Sequence, residues 1–458
     1  MYSRLVKSLD YPLLTAALIL LLFSLVTIGS ATMEFTDASL EQIQGMNILV
    51  RLLHLDYYFV IRQIGWIIMG IIAAMALIYI DYEDMAKYSR HLYVINLAIL
   101  LAVIFVGHTA LGAQRWIYIG PFSFQPSEFS KLIIVISFAD FLSKRKGRLN
   151  TIWELIPCFM YVGIPMLLIL KQPDLGTSLV LVAIMFGMLY AAGARLSILL
   201  GIISLGLVMA FSIYAFHDMV HQPDIKTQER ISHVTRAIDG GDWYLRNDPD
   251  LQRDIKEKGF TNSAKDLNQY LNQLKEGHQG IKNSHERFHK YTLKEYQMTR
   301  LTIFVNPESD LLGAGYHVWQ SRIAIGSGGI TGKGLLGGTQ SHYTFLPIRH
   351  TDFIFSVVGE EFGFIGVTVL LGLFFIVICR GVRIIALARD HYGMLLAAGV
   401  VSMFSFHIFL NIGMTAGIAP VTGIPLTLFS YGGSNMIMNL AGLGVLLNVY
   451  VRRQKLIF

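Results

Sequence analysis

An aspartate set between a basic pair and a long apolar run is where chemistry first becomes legible in this chain. In the string RHTDFIF, Asp352 directly follows Arg349, His350 and Thr351 and precedes residues apolar enough to enter a bilayer. A carboxylate at such an edge, shielded from bulk water, can accept a proton as a general base does. It can equally cap the helix that the apolar run predicts. Glu128 and Lys131 form a second constellation. Their spacing of three places both on one helix face, where they can form an internal ion pair of structural or functional use. They adjoin the segment GAQRWIYIGPFSFQPSEFSK, in which Arg115 accompanies Trp116 and Tyr118. Interfacial anchoring accounts for the aromatic rings, but not for the dense turn chemistry of Gly120, Pro121, Gln125 and Pro126. A shorter turn, QPDLGTS, sets Asp174 beside Pro173.

The glycines Gly326, Gly328, Gly329, Gly332 and Gly334 lie between Arg322 and the region of Lys333. Such a run can aim backbone amides at a phosphate, and it can also be merely a tight connection. It is not a nucleotide P-loop, because the GxxxxGK[ST] template needs glycine where Ser327 stands and Ser or Thr where Gly334 stands. Arg62, Asp140, Glu360 and Glu361 are further ionisable residues in or beside apolar runs, where a charge ordinarily faces a cavity or a partner. The late segment from Asn411 to Leu426, followed by SYGGSN, is rich in Gly and Pro and predicts a broken, closely packed entry into the last span.

These residues need a membrane-embedded scaffold. Of 458 residues, 53% are hydrophobic and 15% charged, whereas a soluble domain is about a quarter charged. Ten apolar runs begin near Tyr11, Phe59, Leu92, Phe129, Ile152, Thr177, Leu196, Phe353, Met394 and Ser430. The fold class expected is all-α, a polytopic membrane protein of about ten transmembrane helices. Basic residues cluster before the first run and after the second, fourth, sixth, eighth and tenth, from Arg4 and Lys7 to Arg452, Arg453 and Lys455. Ten spans with both termini cytoplasmic put all these clusters on one side, as the distribution of basic residues in short loops requires. The net charge of +6 thus reads as topology and not as nucleic-acid binding. The first run lacks a clear cleavage site and reads as a retained anchor.

The expected domains are 1–216, with helices one to seven; a polar extracytoplasmic insertion, 217–292; a Gly-rich extracytoplasmic loop, 293–351; and 352–458, with helices eight to ten and a short tail. Within the insertion, Leu267, Tyr270, Leu271 and Leu274 predict a short amphipathic helix packed on its own loop. Cys158 and Cys379 are widely separated in apolar runs and offer neither a disulfide framework nor a CxxC site.

The strings RWIYIGPFSFQPSEFSK, QPDLGTS, YQMTRLTIFVNP, QSRIAIGSGG, GTQSHYTFLPIRHTDFIF and PVTGIPL with SYGGS together resemble the family named for shape, elongation, division and sporulation (SEDS). GTQ followed by FLP, and NIGM with PVTGIPL, resemble its elongation branch more than its division branch. Thr427 stands where many relatives have proline, and the 217–290 stretch is longer than is usual in the family.

The resemblance implies a peptidoglycan glycosyltransferase in the bacterial cytoplasmic membrane, polymerising the lipid-linked disaccharide pentapeptide lipid II on the outer face. It implies Asp352 as the catalytic residue, with Glu128, Lys131, Arg62 and Arg115 in the outer cavity. The chemistry needed, attack of a sugar hydroxyl on an anomeric carbon that loses a lipid pyrophosphate, suits one carboxylate base and several cations. Asp352 is thereby the expected base, with Arg115, Lys131, Arg322 or Lys333 binding phosphate and Glu128 orienting Lys131. A divalent cation, magnesium or manganese, is compatible with this chemistry, and no organic cofactor is expected. Expected partners are a class B penicillin-binding protein transpeptidase and the elongation machinery. A lipid-linked precursor flippase is the competing reading, although its ionisable residues belong near the membrane midplane.

Overall fold

Inside hydrocarbon a chain must satisfy its own backbone hydrogen bonds, and each of the ten apolar runs accordingly becomes a helix. The computed structural model describes residues 9–33, 46–110, 113–119, 122–238, 249–259, 265–276, 295–306, 315–343 and 346–453. The terminal cations Arg4, Lys7 and Lys455, the turn residues Gly120 and Pro121, and the insertion segments 239–248, 260–264 and 277–294 lie outside the described residues.

In chain order the elements begin with α1 (Tyr11–Ala31), α2 (Ile48–Leu52), α3 (Tyr57–Tyr79), α4 (Tyr82–Val106), β1 (His108–Ala110), β2 (Ala113–Ile119) and β3 (Phe122–Phe124). There follow α5 (Pro126–Ser143), α6 (Ile152–Lys171), α7 (Leu175–Ala191), α8 (Leu196–Ile238), α9 (Pro249–Glu257) and α10, residues 265–276. The chain ends with α11 (Glu295–Val305), α12 (Tyr316–Ser327), α13 (Thr339–His342), α14 (Ile354–Leu387), α15 (His391–Thr415) and α16 (Gly433–Val451). Aspartates start five of these helices, with Asp10, Asp56, Asp81, Asp174 and Asp390 each accepting a first-turn backbone N–H.

Eight helices among the described residues are long and apolar enough to cross a membrane. Of the other two runs, α7 has 17 residues and α5 carries Glu128, Lys131 and Asp140. Such a helix needs protein around it, and α5 has it: Glu128 and Lys131 are both buried. Helices α15 and α16 are also interior, with 67% and 83% of their apolar windows buried, whereas only 17% of α3's is.

Several basic clusters meet at one end of this helical unit. Arg380 pairs with Asp10 at 2.6 Å, Arg389 with Glu83 at 3.7 Å and Arg452 with Asp81 at 3.4 Å. The entry to α1, the α3–α4 turn, the α14–α15 connection and the exit of α16 are thereby joined.

The Gly-rich run has a definite structural use. Helix α14 is broken at Gly363, whose φ of 62° suits glycine. The turn after α12 repairs the break: Phe364 N–H and Ile365 N–H donate to the carbonyls of Gly329 and Ile330. In return, Lys333 and Gly334 donate their N–H groups to the Glu360 and Glu361 carbonyls at 3.0 and 2.9 Å. The tight-connection reading therefore describes these amides, since those of Lys333 and Gly334 are already bonded.

Two local features depart from expectation. The turn-rich segment before α5 forms a three-stranded antiparallel sheet, with β2 pairing β1 and β3. The alternating aromatic and β-branched residues of RWIYI favour this extended form. Helix α8 continues past Phe216 to Ile238 and so crosses the expected domain boundary at 216/217. Residues 201–302 form a second compact unit. There Val234, with Ile231 and Ile238 packed beside it, shares a core with Ile255 and with Leu267, Tyr270, Leu271 and Leu274 of α10. The predicted amphipathic helix thus packs within its own unit.

Candidate active site

A cavity of about 400 Å³ opens where β2, the starts of α5 and α7, the turn before α14, the middle of α15 and the loop into α16 converge. Its lining includes Arg115, Glu128, Lys131, Asp174, Asp352 and His407. Four residues expected from sequence, Asp352, Arg115, Glu128 and Lys131, thus share one space.

The backbone at Asp352 is pinned residue by residue. The His350 carbonyl accepts from Tyr431 N–H at 3.0 Å, the Thr351 carbonyl from Ser430 Oγ at 2.5 Å and the Asp352 carbonyl from Asn411 Nδ2 at 2.9 Å. Asn411 also donates to the Ile424 carbonyl. The NIGM and SYGG segments therefore hold the turn carrying Asp352. That turn is strained, because Ile348 takes a φ of 55° while its carbonyl accepts from Asp352 N–H at 3.2 Å. Phe353 occupies the N-cap position of α14, and Asp352 stands one residue before it. At Thr427 the turn is closed, with Leu426 N–H donating to Ser430 Oγ at 2.8 Å.

The cavity cations are each aimed by an acid. Lys131 Nζ lies 2.8 Å from Glu128 Oε2 and 3.1 Å from His407 Nε2. Arg115 Nη1 lies 3.7 Å from Asp174 Oδ1. Asp174 is itself held by Gln125, Ser127 and the backbone and hydroxyl of Thr177. Next to Asp352, burial and the charge of Arg349 push the His350 imidazole below its ordinary pKa, so it is neutral near pH 7. Its ring packs with Phe59 and Tyr431.

The remaining expected residues do not line this cavity. Arg62 is exposed, with its guanidinium 4.7 Å from the Tyr58 ring centre. Arg322 is exposed on α12. Lys333 pairs with buried Glu360 at 2.7 Å and donates to Thr339 Oγ1. Asp174 and His407 join the site although neither was assigned to it from sequence. The proline-flanked turn hinted at Asp174, while a histidine in an apolar run gives no such signal.

Comparisons with known proteins accord with this geometry. The FtsW/RodA/SpoVE family model, described as "cell cycle protein", matches residues 13–239 and 286–455. The chain is 34% identical over 399 residues to "Peptidoglycan glycosyltransferase RodA" of Treponema pallidum (strain Nichols), covering 86% of this chain and 90% of that protein. It is 33% identical to "Peptidoglycan glycosyltransferase MrdB" of Escherichia coli (strain K12), covering 86% of each. Among solved structures, a chain of a peptidoglycan synthase complex superposes with a TM-score of 0.67 at 24% identity, covering 98% of this chain and 99% of that one. The Thermus thermophilus rod shape determining protein RodA superposes with a TM-score of 0.57 at 23% identity and covers 98% of both chains. These two structures share the fold.

Proposed function

The chain belongs to the FtsW/RodA/SpoVE family of cell cycle proteins, and from that premise we propose that it is a peptidoglycan glycosyltransferase acting in cell elongation. Its substrate is lipid II, as both donor and acceptor, polymerised on the outer face of the bacterial cytoplasmic membrane. The observation that carries this reading is a single cavity in which Asp352 shares walls with Arg115 and Lys131, two cations each oriented by an acid.

Asp352 removes the proton of the attacking sugar hydroxyl as the new glycosidic bond forms and the anomeric carbon loses its lipid pyrophosphate. Lys131 and Arg115 stabilise the charge that develops on the leaving pyrophosphate. Glu128 and Asp174 act indirectly, by fixing where those cations point. Arg62, Arg322 and Lys333 lie off the cavity and take no part in this step.

Among the described residues no group of three or more His, Cys, Asp or Glu side chains is placed to hold a metal ion. A divalent cation, magnesium or manganese, brought with the substrate would be held by the Asp352 carboxylate in the cavity lining. It would supply charge neutralisation at the pyrophosphate, and no step above depends on it.

The meeting of basic clusters at one end supports cytoplasmic termini and, in turn, a cavity facing outward. A class B penicillin-binding protein transpeptidase and other elongation proteins are the proposed partners. The test is purified protein with lipid II and magnesium, with and without that transpeptidase. Glycan chains formed in the presence of moenomycin are expected. Translocation of lipid II across vesicles with no polymer would overturn the reading in favour of a flippase.

A further inference from the structure

His407 is the buried titratable group in the cavity that the mechanism above leaves unused. It stands on α15, while Lys131 and Glu128 stand on α5, and all three line the cavity. His407 is 1% exposed, Lys131 2% and Glu128 6%. The 3.1 Å contact between Lys131 Nζ and His407 Nε2 has only one chemical sense. An ammonium has three N–H donors and no acceptor, so Nε2 must accept. His407 is then a neutral imidazole whose proton resides on Nδ1. A protonated His407 would place N–H against N–H and a second positive charge beside Lys131.

We propose that His407 is a positioning residue for Lys131: its Nε2 lone pair and the Glu128 carboxylate hold two ammonium N–H groups and direct the third at the donor's pyrophosphate. Two acceptors on two helices fix the direction of the ammonium, which Glu128 alone leaves free to swivel about one bond. A neutral second acceptor has a further advantage over a second carboxylate. It holds the ammonium without adding negative charge that would oppose an incoming pyrophosphate. The Asp174 carboxylate, also in the cavity, is engaged elsewhere through Gln125, Ser127 and Thr177.

This inference rests on the glycosyltransferase reading for its kinetic consequence, but not for the tautomer. Full-length protein labelled with 15N-histidine in lipid bilayers tests the tautomer, with His407→Gln identifying the resonance. Nε2 is expected to be unprotonated and Nδ1 protonated at neutral pH, with a shift of Nε2 in Lys131→Met. A proton on Nε2, or no response to Lys131→Met, overturns the proposal whatever the activity.

The kinetic arm compares variants with lipid II as substrate. His407→Met, which removes the acceptor, is expected to lower kcat/KM about tenfold or more, the scale of a lost hydrogen bond to a charged group. His407→Gln, whose amide oxygen can accept from Lys131, restores most of that loss. In a Lys131→Met background, His407→Met costs nothing further. Equal losses in both backgrounds, or a His407→Gln variant no better than His407→Met at the same folded fraction, would reduce His407 to packing. Failure of the wild type to polymerise would count against the glycosyltransferase reading and leave the tautomer result standing.

Discussion

The cavity around Asp352 and the glycine-rich turn against α14 are made of the same ingredients: acids, a lysine, a histidine and backbone that glycine or strain has bent. Around the cavity, Lys131 and Arg115 are aimed by acids and line an open space. Against α14, Lys333 is closed onto Glu360, which also accepts from Gln340 N–H, Ser341 N–H and Ser341 Oγ. His342 and Ser30 likewise meet Glu361 at 3.0 and 2.5 Å. The difference lies in what the polar groups face. One set leaves charge directed at a space a substrate can enter, whereas the other spends its polarity on repairing a broken helix inside the bundle. A charged residue in a membrane protein is thus a functional candidate only once its partners have been counted.

Substitutions other than at Asp352 sharpen this contrast. Lys131→Met is expected to cut the polymerisation rate per folded molecule by up to about a thousandfold, the scale for a lost transition-state charge stabiliser, and also to lower the thermal midpoint, because Glu128 stays buried without its cation. Lys333→Met should affect stability alone. Leaving Glu360 buried without its cation is expected to cost about 3 kcal/mol, seen as a lowered unfolding midpoint in detergent, while the rate per folded molecule stays within about threefold. Equal losses of rate per folded molecule in the two variants would break the distinction.

Gly332→Ala tests the repaired helix more narrowly. The added Cβ would lie 2.1 Å from the Glu361 carbonyl oxygen at a residue with φ of +81°, and a loss of about 2 kcal/mol in stability is expected. The smallest effect concerns His350. Its pKa is depressed in the fold, so as pH falls below the ordinary 6.5 the unfolded chain takes up a proton that the folded chain resists. Its contribution to stability therefore falls on the acid side, and His350→Phe should flatten that limb in a comparison of midpoints at pH 5 and pH 7.

Much of this was legible in the sequence, for identifiable reasons. The ten helical runs follow from hydrocarbon's demand for internal backbone bonding, and Glu128 with Lys131 follows from helical spacing. Asp352 was an open choice between base and helix cap from its position alone, and the family resemblance of its HTDFIF string raised it, as the resemblance also did for Arg115. His407 was hidden, because its partner lies 276 residues away and an isolated imidazole in a greasy helix is usually only a packed side chain. Lys333 misled for the opposite reason, since Gly-rich spacing beside a cation has the same pattern whether its amides hold an anion or a neighbouring helix. The extension of α8 to Ile238 was obscured by its polar residues, although Ile231, Val234 and Ile238 supply the apolar face that α10 covers.

The central claim is that Asp352 supplies the base in the cavity. The measurement that addresses it most directly is the initial rate of glycan formation from lipid II by purified Asp352→Asn, at the same folded fraction as the wild type. The account predicts a folded, membrane-inserted protein that makes no detectable polymer. Substantial polymer from that variant would contradict it.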